Sequence, residues 1–488
     1  MPGEFYKPSL HRSSQSLDDS VPIVANVRTA FKAMYETADF LSARDGGKIP
    51  GNRYTSAAYS SIIHNHLQGL ARLPNRNYMV ISGGDQHRKL GSLFVVRMAS
   101  RPTDSAWRSN VIIEGKPPQD DKIVTVLCPN DKKLGLNDEL WHIGGLSTCG
   151  DVLAAPAESF DGKSAVIFYN LQNPEQPKLF GPKVRINRPT SRAGAVALTT
   201  LPGGYKLAAV LGLHNDDNRR YIDLYLSKVA GWSEGFKLVD SFCTHDKFDD
   251  WQNMNFIQES GGKLYLAATR NTRILPGTFG KDMAHLYEVK LRPGNLNRIR
   301  PDNCSFDTVN EVHTRQFINK LIRKTKKRYS HYQSNMAAGA GVYLHPSGSL
   351  FIYSCFHWRY RNRIAFAEYR PDPKTFTPDV IDSLDDAWVD MFYHDTYKGR
   401  RLGLVGRSDA KIADFSKLAV QGLSFGKNLS SVRYQIPKGW KLRLYRHKNF
   451  RTKNDHYDLI GNGRLKTERD LNKVKFGDKT YSCEYLEA

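Results

Sequence analysis

The sequence repeats one segment five times, and this repeat limits the possible folds more than any other feature. The first copy reads HNHLQGLARLPNRNYMVIS, from His64 to Ser82, and further copies begin at Trp141, Ser191, Trp251 and Asn335. Each copy has a small or polar start, an apolar strand, a tight turn and a second apolar strand. Units of this kind bury their apolar faces against their neighbours, so the pattern is typical of a blade array.

A third apolar strand follows each copy, at residues 92–98, 165–171, 221–227, 285–291 and 364–370. We therefore predict an all-β chain with a five-bladed β-propeller over residues 56–372. Small residues in the first strands are expected where the backbones converge at the axis: Gly69, Gly144, Gly145, Ala193, Gly194, Ala338 and Gly339. A sixth, degenerate blade would have to lie in the inserts at 99–140 or 292–334.

The segments outside the repeats have different compositions. Residues 1–20 are polar, with Ser and Pro, and are expected to form a disordered arm. Residues 21–55 are expected to hold a short helix around Val27 to Leu41. They are also expected to hold a strand, VPIVANV at 21–27, that could complete a blade and remove a free sheet edge. Residues 373–387 contain Pro and acidic residues and are expected to be a linker.

The second insert contains an amphipathic pattern, TRQFINKLIRKTKKRY at 314–329. The pattern predicts a helix with an apolar face, followed by a run of cations. One interpretation is a helix that contacts an anion. The other is a surface helix whose cations complement the dipole at its C-terminus. The cations are Arg323, Lys324, Lys326, Lys327 and Arg328.

A different pattern begins at Trp388 and occupies residues 388–488. Two half-units each start with a strand and then place two aromatic residues five positions apart, Phe392 with Tyr397 and Tyr445 with Phe450. The halves end in similar strands, at 429–436 and 481–487. We predict paired Greek keys that pack as a β-sandwich, with each aromatic pair covering a folded hairpin.

These residues resemble the βγ-crystallin family over about the last 100 residues. Phe392, Tyr397 and Gly399 match the family's hairpin motif, whereas Thr452 stands where the family prefers Gly in the second copy. The resemblance implies a Greek-key sandwich, and many such domains bind calcium.

The positions that match the family's calcium motif do not favour a tight site. Lys427 and Lys479 occupy its second position in the two copies. Calcium requires oxygen ligands, and an ammonium group nearby opposes the cation. We expect at most weak calcium binding, through Ser430, Asp478 and Ser482, and no other cofactor.

The 488-residue chain carries a net charge of +22, and residues 388–488 alone contain 21 Lys and Arg against 11 Asp and Glu. A basic balance favours anionic partners such as acidic glycans, lipid or nucleic acid, although it also serves solubility. The sequence has no apolar run of membrane-spanning length and no apolar segment typical of a signal peptide. We expect a cytoplasmic protein, or one exported without a classical signal.

Two further features narrow the possible chemistry. None of the six cysteines lies in a C-x-x-C pair, so buried free thiols are expected rather than a disulfide framework. The sequence has no G-x-S-x-G motif, phosphate-binding loop or dinucleotide fingerprint, which argues against those enzyme classes.

The starts of the first strands should meet at one mouth of the propeller channel and form a polar ring. His66 and His142 are candidates for acid and base, and Arg192 is a candidate anion clamp. The candidate ligand-binding residues beside them are Gln68, Trp141, Trp251, Gln252, Asn253, Asn255 and Asn335.

Three other interpretations of this ring stay open. A metal could be held by His64, His66 and His142, although no acidic ligand joins them in the motif. A glycosidase would need two carboxylates across the channel. The candidates for that role are Asp85, Asp151, Glu158, Asp249 and Asp250. The ring could also line the channel and bind only water.

Taken together, the sequence predicts a binding protein that recognises a small or carbohydrate-like ligand at the propeller mouth, with a basic second domain that attaches to an anionic surface. The alternative is an enzyme, a hydrolase, cyclase or isomerase, that uses His66 or His142 as acid or base and Arg192 to hold an anion.

Overall fold

The structure is a computed structural model. It describes residues 5–11, 17–36, 38–45, 48, 66–74, 76–85, 89–98, 121–129, 139–159, 161–244, 251–272, 281–317, 336, 339–345, 348–355, 363–372, 379–397, 401–405, 411–417, 419–420, 423–424, 428–451 and 455–488.

The N-terminal region contains four short elements: β1 (Ser9–Leu10), β2 (Ile23–Val24), α1 (Val27–Lys32) and β3 (Asp39–Asp45). The Asn26 side chain caps α1 by accepting a hydrogen bond from the Thr29 N–H at 2.9 Å. The helix is therefore much shorter than the predicted span of Val27 to Leu41, because the chain turns into β3 soon after Lys32.

Five antiparallel sheets follow, one for each sequence repeat. Blade 1 consists of β4 (His66–Arg72), β5 (Tyr78–Asp85), β6 (Leu90–Arg97) and β7 (Lys122–Leu127). Blade 2 consists of β8 (His142–Ile143), β9 (Ser147–Cys149), β10 (Val152–Glu158), β11 (Ser164–Asn170), β12 (Lys178–Leu179) and β13 (Ile186–Arg188). Blade 3 consists of β14 (Ala195–Thr200), β15 (Lys206–Leu213), β16 (Arg220–Ser227) and β17 (Phe236–Cys243).

Blade 4 consists of β18 (Trp251–Glu259), β19 (Leu264–Thr272), β20 (Lys281–Arg292) and β21 (Ser305–Phe317). Blade 5 consists of β22 (Gly339–Leu344), β23 (Leu350–Cys355) and β24 (Arg363–Tyr369), and the N-terminal strand β3 is its outermost strand. The second and third strands of every blade lie where the repeat predicts them.

The five blades close into a ring. Each neighbouring pair of blades shares one apolar cluster, and the five clusters join blades 1 and 2, 2 and 3, 3 and 4, 4 and 5, and 5 and 1. The innermost strands of blades 5 and 1 pair in parallel at Ala340 and Gly69, and β3 pairs in parallel with β7. The described part of the chain is nearly all-β, and its ring of five blades agrees with the predicted propeller.

Two segments outside the repeats differ from their predicted roles. The segment that completes blade 5 is β3, whereas residues 23–24 of the predicted closing strand pair with Gln258 and Glu259 in blade 4. The described parts of the two inserts hold the outermost strands β7 and β21 rather than a sixth blade. Residues 314–317 are therefore strand, not helix, and the basic run at 323–328 lies outside the described residues.

The arm at residues 1–20 also differs from the expected disordered segment, in the ranges 5–11 and 17–20. The Tyr6 N–H donates to the Val126 carbonyl at 2.8 Å, and β1 pairs in parallel with β12. Asp19 forms an ion pair with Lys206 of blade 3. The arm is fixed because it satisfies polar groups of three blades.

At the axis the backbones of neighbouring blades touch. A Cβ atom added to Gly339 would lie 1.6 Å from the Gln68 carbonyl oxygen, and one added to Gly69 would lie 2.6 Å from the Leu146 nitrogen. Gly144 and Gly145 are similarly confined by Gly194 and Gln252. Only glycine permits this approach, as the small residues of the repeat suggested.

Among its described residues, the second domain contains ten strands, and it lies after a short connector. They are β25 (Trp388–Phe392), β26 (Arg401–Val405), β27 (Lys411–Ile412), β28 (Ala419–Val420), β29 (Leu423–Ser424), β30 (Ser431–Gln435), β31 (Trp440–Tyr445), β32 (His456–Ile460), β33 (Leu465–Glu468) and β34 (Ser482–Glu487). Short 3-10 turns lie in both parts of the chain. One, at Leu296–Arg298, lies between β20 and β21 of blade 4. The others lie at Leu384–Asp386, Asp395–Tyr397, Phe415–Lys417 and Lys448–Phe450.

Two four-stranded sheets enclose one apolar core in this domain, in the orders β26-β25-β30-β33 and β27-β34-β31-β32. Each half therefore lends one strand to the other half's sheet. The predicted aromatic pairs are in contact, with ring centroids 5.7 Å apart for Phe392 and Tyr397 and 5.8 Å apart for Tyr445 and Phe450. The topology agrees with paired Greek keys, and membership of the βγ-crystallin family stays a prediction.

A buried carboxylate joins the two domains. Asp390 is fully buried in β25 and accepts hydrogen bonds from Arg370 of the propeller at 2.6 Å and from Arg401 at 3.0 Å. Its second oxygen accepts from the Tyr35 hydroxyl, in the N-terminal region, at 2.7 Å. Arg433 forms a two-pronged ion pair with Asp372 beside it. These contacts cross the boundary, so the two domains are expected to unfold together.

We predict that Gly339→Ala destabilises the propeller by more than about 3 kcal/mol, because the new methyl group would overlap the Gln68 carbonyl. Urea denaturation followed by circular dichroism measures the change. Gly181→Ala is the matched control, because nothing lies within 4 Å of its added Cβ. Equal stabilities of the two variants would contradict the close approach at the axis.

We also predict that Asp390→Asn lowers the stability of both domains by about 3–5 kcal/mol, because it leaves buried arginines without their carboxylate. Tyr35→Phe removes only one hydrogen bond from the same carboxylate and should cost about 1 kcal/mol. The thermal transitions of the two variants measure these effects. A loss confined to the second domain would argue against the shared interface.

Candidate functional site

The first strands of the blades all begin at the same face of the ring, which we call the upper face. The face at which they end is the lower face. On the upper face, three predicted or candidate residues form one hydrogen-bonded chain. Gln68 Nε2 lies 2.9 Å from His142 Nε2, and His142 Nδ1 lies 2.9 Å from Glu158 Oε1. We call Gln68, His142 and Glu158 the upper-face triad.

Glu158 ends the strand that pairs with His142, and this pairing brings the carboxylate to the imidazole. Its second oxygen accepts the Ala193 N–H of the next blade at 3.0 Å. Burial opposes ionisation, but the hydrogen bond from His142, the charges of His142 and Arg192, and the Ala193 N–H together lower the pKa of Glu158. The carboxylate is therefore ionised at neutral pH.

The ionised carboxylate orients the ring of His142. Nδ1 faces the carboxylate and donates to it, and Nε2 faces the amide nitrogen of Gln68. The His142 and Glu158 side chains are 17% and 10% exposed, so both are mostly buried. An imidazole oriented by a carboxylate can hold a hydroxyl group or accept a proton at Nε2.

The two predicted tryptophans are buried. Trp141 packs edge-on against His142, and its carbonyl oxygen lies 3.2 Å from a Cβ added to Gly84. Trp251 belongs to the apolar cluster between blades 3 and 4 and contacts Tyr287 at 5.0 Å between centroids. Their predicted ligand-binding role stays a prediction, because a repeat alignment does not show which side of the strand faces the neighbouring blade.

The asparagines predicted to bind ligand connect blades instead. Asn253 Nδ2 donates to the Leu146 carbonyl at 2.9 Å. Asn255 donates to Ser147 Oγ at 3.3 Å and accepts from the Val342 N–H at 3.0 Å. The backbone of Gln252 presses against Gly145 at the axis, and its side chain is half-buried. These contacts close the centre of the ring.

The remaining candidates lie elsewhere. Asp151 starts a strand on the lower face and pairs with Arg76 at 3.0 Å, so it cannot act at the upper mouth. Outside the described part lie the residues His64, Asp249, Asp250 and Asn335. The side chains of His66 and Asp85 also lie outside it. Of the site residues predicted from the sequence, the structure thus brings Gln68, His142 and Glu158 into contact. Arg192 acts on this group through its charge.

Sequence reasoning missed a polar group on blade 4. Asp282 is buried, and its Oδ1 accepts from Asn271 at 2.6 Å and from the Met336 N–H at 3.0 Å. Burial raises the pKa of Asp282 to about 7. Nearby, His285 lies between Arg270 and Glu311, and burial lowers its pKa. An Asp at the start of an otherwise apolar strand was the available signal.

The weak calcium candidates form hydrogen bonds within the domain. Ser430 Oγ lies 3.0 Å from Asp478 Oδ1 and also donates to the Tyr393 carbonyl. Ser482 donates to the His447 carbonyl and accepts from the Phe450 N–H, which holds a hairpin together. Lys427 lies outside the described residues, and Lys479 is exposed.

Over the described ranges, the structure contains no group of three or more His, Cys, Asp or Glu side chains placed to hold a metal ion. Within those ranges, no helix has the length and apolar character needed to cross a membrane. All six cysteines are free thiols, as predicted, and five of them are buried.

Comparison with known proteins gives likenesses of fold only. No protein-family model matches the chain. No curated protein matches it. A solved structure concerned with the evolution of the eye-lens βγ-crystallin domain fold shares 16% identity, with 21% of this chain and 86% of that chain covered and a TM-score of 0.17.

Two solved propeller structures also match. One is the GH93 α-L-arabinofuranosidase of Fusarium graminearum with arabinobiose, at 6% identity and a TM-score of 0.36. The other is the Penicillium chrysogenum α-L-arabinanase with arabinobiose, at 9% identity and a TM-score of 0.34. Each match covers 69% of this chain and 98% of the other. At these scores the likeness carries no argument about activity.

We predict that the ionisation of Asp282 lowers the free energy of unfolding as the pH rises. Its folded pKa of about 7 exceeds the unfolded value of about 3.9, so ionisation is disfavoured only in the folded state. The cost is absent below pH 4, grows up to pH 7 and then stays constant at a few kcal/mol. Asp282→Asn should therefore gain stability over the wild type between pH 4 and pH 8, as measured by urea denaturation.

Asp302→Asn is the control for this comparison, because Asp302 is exposed. Its pH profile should follow the wild type. If Asp282→Asn also follows the wild type at every pH, the raised pKa of Asp282 is contradicted.

Proposed function

We propose that the protein binds a small, hydroxyl-rich ligand, such as a sugar, at the upper face of its propeller. The upper-face triad carries this proposal, because hydrogen bonds hold three polar side chains from two blades there in a fixed order. The ligand would displace or extend the contact between Gln68 and His142. Arg192 would add affinity for a ligand that also bears a negative group.

The chemistry of the triad suits hydroxyl groups. An amide both donates and accepts, the imidazole Nε2 accepts, and the carboxylate accepts. A hydroxyl group can match each of these, because it donates once and accepts twice. A sugar presents several such groups in a rigid array, so little conformational entropy is lost when it binds.

The second candidate function is an enzyme with His142 as acid or base. Glu158 holds the imidazole by Nδ1, which directs Nε2 toward a reacting proton. This would suit a hydrolase, cyclase or isomerase. We place binding first because a glycosidase needs two carboxylates across the site. Within the described residues, the triad contains one, Glu158.

Calorimetric titration with a panel of neutral mono- and disaccharides, arabinobiose among them, tests the proposal. His142→Ala and Gln68→Ala should each weaken the affinity for a bound sugar at least tenfold. Gln172→Ala, an exposed glutamine near the lower edge of blade 2, should leave it unchanged. Binding that survives both triad substitutions would place the ligand elsewhere.

The same panel as chromogenic glycosides separates binding from catalysis. Turnover by the wild type that His142→Gln abolishes, while sugar affinity persists, would favour the enzyme. Absence of turnover in a protein that still binds sugar would favour the binding function.

The proposed attachment of residues 388–488 to an anionic surface stays a prediction. Several of the domain's cations are used internally: Arg443 pairs with Asp458 and Lys448 with Asp414. The charge available to a partner is therefore smaller than the composition suggests.

A further inference from the structure

The N-terminal arm occupies a pocket on the lower face between blades 2 and 3. The Asp19 carboxylate accepts the Trp232 indole N–H at 2.8 Å and lies 2.5 Å from Lys206 Nζ. The Asp19 carbonyl accepts from Thr200 Oγ1 at 2.8 Å and from the Cys149 thiol at 3.1 Å. We call Cys149, Thr200, Lys206 and Trp232 the lower-face pocket.

Every one of these hydrogen bonds runs in the same direction. The propeller supplies the donors, and the arm supplies a carboxylate and backbone carbonyls. The Asp151 N–H adds a fifth donor, to the Asp18 carbonyl at 2.6 Å. Burial raises the pKa of the Cys149 thiol to about 12, so that thiol stays protonated and can donate. A one-sided donor set of this kind is how proteins recognise an acidic peptide.

The shape of the propeller also fits a peptide backbone. Gly150 has a φ of +54°, and a Cβ added there would lie 2.3 Å from the Asp18 carbonyl oxygen. The Lys206 side chain is only 3% exposed, so its ammonium group depends on the carboxylate. Leu17 and Val21, on either side, pack against the apolar cluster between blades 2 and 3.

We propose that the lower-face pocket is a recognition site for an acidic peptide segment, and that the chain's own Leu17–Ser20 occupies it as a tethered ligand. Release of the arm opens the pocket to an Asp-containing segment of another polypeptide. A tethered ligand has an effective concentration on the order of mM, so a free peptide cannot compete while the arm is bound. The site is independent of the upper-face triad.

The test uses the full chain with Asp19→Lys, which places a second cation beside Lys206 and expels the arm. A fluorescent peptide with the sequence of residues 17–24, LDDSVPIV, is titrated and its anisotropy followed. We expect it to bind Asp19→Lys at least tenfold more tightly than the wild type. The same variant should bind a second peptide, LDNSVPIV, at least tenfold more weakly than LDDSVPIV. In the second peptide, Asn replaces the second Asp.

Substitutions in the pocket complete the test in the same Asp19→Lys background. Lys206→Met should weaken peptide binding at least tenfold. Trp232→Phe, which removes only the indole donor, should weaken it severalfold. Lys237→Met changes an exposed lysine of the same blade and should have no effect. Equal binding of the two peptides, no binding of either, or full binding after both pocket substitutions would overturn the proposal.

A mixture of wild type and Asp19→Lys identifies the source of the segment. Sedimentation of a heterodimer would show that a second copy of this chain supplies the arm. If the two proteins sediment as monomers while the peptide binds, a second copy of this chain is excluded as the source of the segment.

Discussion

The structure depends on the contact of bare backbone at the centre of the ring. Gly339 and Gly341 of blade 5 touch the carbonyls of Gln68 and Leu70 in blade 1, with no space for a side chain. This approach lets the last blade meet the first, and it brings the upper ends of the first strands together. The upper-face triad depends on the same close packing between neighbouring blades, because Gln68 and His142 belong to blades 1 and 2.

Charged groups are placed at the joints between units, whereas apolar residues fill the spaces between blades. Asp390 joins the second domain to the propeller, Asp19 joins the arm to blade 3, and Arg72 with Tyr353 and Glu368 joins blade 1 to blade 5. A buried charge without its partner is costly, so each joint favours one arrangement of its units. The apolar clusters supply most of the driving force, and the ion pairs specify which surfaces meet.

The sequence predicted the second and third strands because alternating apolar residues mark strands buried in a sheet. The outermost strands escaped, since β17 (FKLVDSFC) is half-exposed and β3 pairs with a strand more than 300 residues away. His142 and Gln68 could be predicted from their place in the repeat. The role of Glu158 as a strand-end partner, and the burial of Trp251 between blades, depend on three-dimensional packing that no local pattern contains.

The central claim is that Glu158 holds His142 by Nδ1 and turns its Nε2 toward Gln68, where a ligand can reach it. Nitrogen NMR of protein labelled with ¹⁵N-histidine reports on each ring nitrogen separately. We expect the His142 signals of the free protein to show a proton on Nδ1, and the Nε2 signal to move when a bound sugar is added. A bare Nδ1 in the free protein, or signals that no ligand changes, would contradict the account.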